Sequence, residues 1–205
     1  LKRRARRAGA QRLAFLDIQE IGKMTGSKQV TLAVPVTAMD HSTGPEHARV
    51  VVVEYADFEC PICHANEPAV RQLLATHARD LQFVFRHFPL EDSHPHALIA
   101  AEAAEAAAAQ GEFWPMHDLL LSDPNRLSRH HLESYAEKLG LDMARFKAEL
   151  DDEVYRQRVR EHQDGGRRSH LRATPGFFVN GVVQDVSRGM QDLLDAVHSE
   201  IHRGR

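Results

Sequence analysis

The chain contains two cysteines, and both lie in one short motif, Cys60-Pro61-Ile62-Cys63. A dithiol at this spacing can close on itself as a disulfide or exchange one with another thiol. The same spacing can supply half of a zinc site. Position decides between these chemistries. The β-branched run Val50-Val51-Val52-Val53 ends a few residues before Cys60. The residues after Cys60 read as a helix with Pro61 in its first turn, where a missing N–H costs nothing. A strand that delivers a sulfur to a helix N-terminus sets it against unpaired amides and the positive end of the helix dipole, which favours the thiolate. The thiolate is the species that attacks disulfides. A zinc site needs four ligands, and the chain has no second cysteine pair. His64 extends the motif to C-x-x-C-H, which is also the attachment signature of c-type haem. The hydrophobic strand before it, the helix-start proline and the lack of a visible export signal favour a redox dithiol.

The elements that must position this pair can be read on either side of it. Residues 50–55 form a buried strand, followed by a helix from Pro61 to about Ala78 with Val70, Leu73, Leu74 and His77 on one face. Residues 81–88 alternate around Phe83, Phe85 and Phe88 and read as a second strand. Strand, helix and strand in this order predict a parallel pair with a right-handed crossover. The middle of the chain then turns helical. Residues 95–110 are alanine-rich, and 113–121, 128–139, 142–150 and 152–160 read as further helices. Ser128 and Asp142 are expected as N-caps and Gly140 as a stop. The small side chains of 100–109 are expected to pack closely on the sheet. Strands return at 176–180 and 182–184, joined by an Asn180-Gly181 turn. A helix from Gly189 to about His202 closes the chain. Residues 1–45 show no sustained periodicity and read as an extended or disordered lead-in. The organisation is therefore one α/β domain built from 46–92 and 165–205, interrupted by an all-helical insertion over 93–164.

Hydrophobic content of 42% beside 27% charged residues fits a soluble globular chain. No apolar stretch approaches a membrane span. The net charge of −3 is unevenly spread: Lys2, Arg3, Arg4, Arg6, Arg7 and Arg12 form a basic arm, which leaves the rest acidic. An acidic body argues against a nucleic-acid-binding face, and the arm reads as a solvated tail. The apolar run after it, Leu13-Ala14-Phe15-Leu16, is cut by Asp17 and is too short for a signal peptide. Met24 reads as a natural beginning, with 1–23 an upstream extension or a processed remnant. These features place the protein in the cytoplasm, where a C-x-x-C is catalytic or metal-binding more often than a structural staple.

Taken in order, the motifs resemble those of the DsbA-like thioredoxin-fold thiol:disulfide oxidoreductases. Glu54 stands six residues before the first cysteine, as the family's buried acid does. Phe58-x-Cys60-Pro61-x-Cys63 is similar to its active-site stretch. Thr174-Pro175 is similar to its cis-proline loop, and Phe177-Phe178-Val179-Asn180-Gly181 to the strand and turn that follow. Phe113-Trp114-x-Met116-His117 resembles the start of a helix in the family's insertion. The resemblance covers roughly residues 44–203. Two positions depart from it: Ile62 stands where the most oxidising members have His, and Gly176 where many have a larger residue.

The resemblance implies a thioredoxin-like fold with the helical insertion between the β-α-β half and the C-terminal hairpin and helix. It implies that Cys60 is the nucleophile and that Cys63, one turn deeper, resolves the mixed disulfide. Glu54 would take the proton of Cys63 through water. Pro175 would be cis beside the dithiol, with the Thr174 backbone turned towards an extended substrate. Pro61, Ile62 and His64 complete the expected substrate-facing surface, His64 by a surface hydrogen bond or positive potential near the sulfurs. Protein or peptide thiols and disulfides are the expected substrates, together with a separate redox partner. No cofactor, metal, nucleic acid or membrane insertion is implied, and a monomer is expected. His87, His94, His96, His117, His130 and His131 read as solvated or capping residues. Phe113 and Trp114 could line a groove near the dithiol, although core is the commoner role for aromatics. Two rivals remain: a binding or chaperone module without turnover, and a glutathione- or peroxide-linked thiol enzyme. The direction of exchange stays open, since the resemblance favours oxidation and a cytoplasmic setting favours reduction or isomerisation.

Overall fold

A computed structural model describes residues 30–203. The basic arm, the apolar run 13–16 and Met24 lie outside the described residues. The elements follow in the order β1 (His41–Thr43), β2 (Val50–Ala56), α1 (Pro61–Thr76), β3 (Leu81–His87), α2 (Ala97–Ala108), α3 (Phe113–Leu120), α4 (Arg129–Lys138), α5 (Met143–Asp151), α6 (Arg156–Arg168), β4 (Gly176–Val179), β5 (Val182–Gln184) and α7 (Gln191–His202). The strands form one mixed sheet in the order β1-β3-β2-β4-β5. β2 and β3 run parallel with Glu54 opposite Phe85, and β4 lies antiparallel on the other side with Phe177 opposite Glu54. The expected β-α-β unit is therefore present, and β2 is central because its valine run can be buried on both faces.

Side chains alternate across the sheet with period two. Val50, Val52, Ala56, Phe83, Phe85, Phe177 and Val179 face the larger core, which also holds Val70 and Leu73 of α1, Val197 of α7 and the apolar side of the insertion. Val53, Tyr55, Val84 and Phe178 face a smaller core closed by Val30, Leu32 and Val36. Residues 30–36 are thus a docked extended segment: Leu32 N–H donates to the Gly181 carbonyl (2.8 Å) and Val183 N–H to the Val30 carbonyl (3.2 Å). The tight turn between β4 and β5 has Asn180 at φ 46° and Gly181 at φ 81°, the left-handed pair that a two-residue hairpin requires.

Four local expectations are corrected. β1 lies inside the segment read as having no regular structure; it is three residues long and exists through its antiparallel pairing with β3. The helix expected over 152–160 begins at Arg156 and runs to Arg168. Glu153 at φ 53° occupies the left-handed position that ends α5, so Asp152 is a C-cap and not a helix start. Ser128 stands at the N-cap of α4 but makes no capping bond; its hydroxyl pairs with His131 Nδ1 (2.9 Å). Asp142 does cap α5, accepting from Arg145 N–H at 3.0 Å. The alanine helix α2 packs mainly on α3, α5, α6 and α4, so its small residues bring helices together more than they approach the sheet.

Candidate active site

Cys60 is the N-cap residue of α1, with φ −76° and ψ 119°. No side chain caps the helix, so the amides of Ile62 and Cys63 remain free to bond the Cys60 sulfur. Both cysteines are free thiols and both are buried. The Cys63 S–H donates to the Cys60 sulfur, and this is the largest influence on Cys60. Burial opposes it; Thr174 and the two amides reinforce it. The net result holds the Cys60 pKa at about 5 against an ordinary 9.0, so the group is a thiolate at neutral pH. Cys63 moves the other way. Burial pushes its thiol up, and the bond it donates to Cys60 and the charges of Glu54 and Cys60 push it further. The pair thus consists of a thiolate and a protonated thiol beneath it.

Glu54 lies on β2, on the larger-core face between Phe85 and Phe177. Among the described residues its Oε2 has no hydrogen-bond partner. Burial pushes its pKa well above the carboxylate range, and the charges of Glu67 and Cys60 add to that. Cys63 in turn feels the Glu54 charge. The Cys60 charge therefore raises both Glu54 and Cys63, and Glu54 adds to the rise at Cys63.

Thr174 and Pro175 reach the dithiol from 114 residues along the chain: Cys60 Sγ lies 3.5 Å from the Thr174 carbonyl. The Thr174–Pro175 peptide is cis. The Thr174 hydroxyl is buried and otherwise unpartnered. Gly176 follows because a Cβ there would come within 2.7 Å of both methyl carbons of Leu171. Pro61 occupies the first turn as expected. Ile62 is 56% exposed, an apolar side chain presented to solvent between the sulfurs. His64 Nε2 bonds the Phe58 carbonyl at 2.6 Å, so the ring braces the loop before Cys60.

The histidines read as solvated or capping divide. His130 is exposed. His87 and His117 are buried, because aromatic neighbours enclose them: Phe85 and Phe58 pack on both rings. His87 and His41 donate to Glu105 Oε1 at 3.0 and 2.9 Å. Phe113 is a core residue stacked on His41, with ring centroids 3.5 Å apart, and Trp114 packs on Phe83. Among the described residues, the side chains grouped at metal-ligand spacing are His41, His87 and Glu105, and Glu67, His117 and Asp118; neither group contains a cysteine.

Sequence reasoning missed the loop around Cys60. Asp57 is buried, and its carboxylate accepts from Glu59 N–H (2.8 Å), Leu90 N–H (2.8 Å) and His94 Nδ1 (2.7 Å). Glu59 accepts from His96 N–H (2.5 Å) and its Nδ1 (3.0 Å). The signal was present as two acids, Asp57 and Glu59, in the stretch before Cys60. Their histidine partners lie 37 residues away, beyond the reach of any local pattern.

The thioredoxin family matches residues 36–198, and the chain belongs to that family. Its fold is that of the DsbA-like members. The structure of oxidised BdbD from Bacillus subtilis aligns with a TM-score of 0.74, covering 85% of this chain and 99% of that one at 21% identity. The thiol-disulfide exchange protein alpha-DsbA2 from Wolbachia pipientis aligns at 0.64, covering 79% and 87% at 19% identity. By sequence, the chain is 49% identical over 171 residues to the Na(+)/H(+) antiporter NhaA 1 of Salinispora arenicola, a match covering 83% of this chain and 26% of that protein. The chain spans about a quarter of the length of the curated relatives it matches. Among the described residues no helix is long and apolar enough to cross a membrane. The cytoplasmic expectation rested on residues 1–24, outside the described region, and neither the fold nor the matched proteins support it.

Proposed function

We propose that this chain is a thiol:disulfide oxidoreductase that exchanges disulfides with protein or peptide substrates through Cys60 and Cys63. The observation that carries the reading is the opposite displacement of two neighbouring thiols, Cys60 held at about 5 and Cys63 pushed up by burial. The Cys60 thiolate attacks a substrate disulfide; that S–S bond breaks, a mixed disulfide forms, and the departing sulfur takes a proton. Cys63 then attacks Cys60 Sγ, closes the internal disulfide and releases the second substrate thiol. The reverse sequence oxidises a dithiol. In the mixed disulfide Cys60 no longer carries charge, which removes one influence raising both Glu54 and Cys63. Glu54 then accepts the Cys63 proton as that sulfur attacks. Thr174 and Pro175 line the approach to Cys60, and exposed Ile62 with Pro61 gives an extended substrate an apolar contact. His64 fixes the Phe58 carbonyl and so the loop that leads into Cys60. The antiport in the relatives' names is no part of this assignment.

Trapping tests it. Cys63→Ser incubated with a disulfide-bonded peptide is expected to accumulate a mixed disulfide on Cys60, seen by non-reducing electrophoresis and mass analysis. Cys60→Ser is expected to accumulate none. Native protein that fails to reduce or form disulfides in a peptide under glutathione buffer would overturn the reading.

A further inference from the structure

The nucleophile stands three residues after a buried carboxylate. Asp57 has a fully covered side chain, and the Cys60 N–H donates to the Asp57 carbonyl at 3.1 Å. A negative charge held there works against a thiolate at Cys60. No side-chain cation within the motif offsets that charge. Ile62 brings no charge, and the His64 ring is committed to the Phe58 carbonyl. The compensating group comes from the segment between β3 and α2, where His94 places Nδ1 2.7 Å from Asp57 Oδ2 with 18% of its side chain exposed.

We propose that His94 is a positioning residue for the thiol chemistry: as an imidazolium it cancels the Asp57 charge beside Cys60 and so adds to the stabilisation that Cys63, Thr174 and the helix amides give the thiolate. This deepens the thiol-exchange reading and rests on it. The groups that face His94 are Asp57 and Glu59 from the loop before α1, Cys60 at the helix start, and His96, whose ring is held by Glu59. Burial disfavours the charged imidazole, but the Asp57 bond and charge and the charges of Cys60 and Glu59 outweigh it, and its pKa is raised. Coupling is reciprocal: whatever the Cys60 thiolate adds to the proton affinity of His94, protonated His94 subtracts from that of Cys60.

Two measurements decide. In the native chain, NMR titration of the His94 ring is expected to give a higher pKa in the dithiol form than in the disulfide form, because only the former carries the Cys60 charge. Equal values overturn the proposal. The second is the equilibrium in which enzyme dithiol and glutathione disulfide give enzyme disulfide and two glutathiones. His94→Asn is expected to move it about tenfold towards the enzyme disulfide, which corresponds to about 30 mV less oxidising, and to raise the midpoint of Cys60 alkylation against pH. His94→Arg should keep the native values, and Asp57→Asn added to His94→Asn should restore them, since charge cancellation no longer matters. A purely structural role for His94 would move neither constant in this pattern. Native protein that does not equilibrate with glutathione defeats the thiol-exchange reading, and the titration still decides the coupling. Native protein that equilibrates, with His94→Asn unchanged, defeats this proposal alone.

Discussion

Glu54 and Glu105 are equally buried, at 3% exposure each, yet they hold their protons in opposite ways. Burial penalises the charge of both. At Glu105 the hydrogen bonds and charges of His41 and His87 outweigh burial and hold the carboxylate well below its usual range; Arg158 Nε adds a contact at 2.8 Å. At Glu54 the charges of Glu67 and Cys60 add to the effect of burial, and among the described residues Oε2 has no partner. A buried acid surrounded by donors fastens elements together: here β1, β3, α2 and α6 meet at one carboxylate. A buried acid beside a thiol and another acid is left with a proton it can trade. Burial alone therefore marks neither role; the partner set does.

Removing each acid should separate the two regions. Glu105→Ala is expected to cost about 3–5 kcal/mol of stability, because it removes the carboxylate shared by buried His87 and partly buried His41 and Arg158. Glu54→Leu should leave stability unchanged or raised, since it removes an unpaired buried carboxyl. Denaturant unfolding of both variants measures the contrast, and a Glu54→Leu loss as large as that of Glu105→Ala would erase it. The next effect is kinetic. Glu54→Gln is expected to slow the closing attack of Cys63 by roughly a hundredfold, the low end for a positioned proton acceptor, while leaving Cys60 alkylation nearly unchanged. Single-turnover release from a mixed disulfide, against alkylation rate, separates the two steps.

The sequence carried the dithiol, its strand and helix, and the Asn180-Gly181 hairpin, because each is a local pattern with a local cause. Glu54 was legible as a charge in an apolar run. The Glu105 network was not: Glu105 sits in an alanine-rich helix like any solvent-facing acid, and its partners His41, His87 and Arg158 come from three other elements. The same holds for Asp57 and His94. β1 was invisible because three residues carry no period, and its pairing with β3 makes it a strand. Local chemistry could be read directly. Polar pairing between distant segments needed the fold.

The two acids should also oppose each other as pH changes. Glu105 has a lowered folded pKa, so its contribution is present above its unfolded value of 4.5 and is lost as pH falls through the folded value. Glu54 has a raised folded pKa, so its contribution is complete below 4.5 and is lost as pH rises through the folded value. Glu54→Gln should therefore flatten the decline in stability above pH 4.5, and acid unfolding should remain. Cys60 adds a redox-dependent slope: with a folded pKa of about 5 against 9.0, its contribution is present above 9.0 and is lost as pH falls through about 5. Across this range the denaturation midpoint of the dithiol form should rise relative to that of the disulfide form as pH rises, and parallel curves would contradict the thiolate.

The smallest expected effect lies at the rim of the reactive region. Ile62 is largely exposed and carries no charge, although its own amide is one of the groups that favour the Cys60 thiolate. Ile62→His would place an imidazole in the stretch between the two sulfurs. Its positive form should stabilise the thiolate, lower the Cys60 pKa and make the disulfide more oxidising, since the dithiol state gains and the disulfide state does not. Solvent screens an exposed charge, so the shift should stay within about tenfold in the glutathione equilibrium, near 30 mV. That is smaller than the change expected from either buried glutamate, and salt should weaken it further. A potential that does not move would mean that side chains at position 62 point away from the sulfur. The thiolate would then owe its stability to buried partners alone, and the contrast between Glu54 and Glu105 would extend to the nucleophile itself.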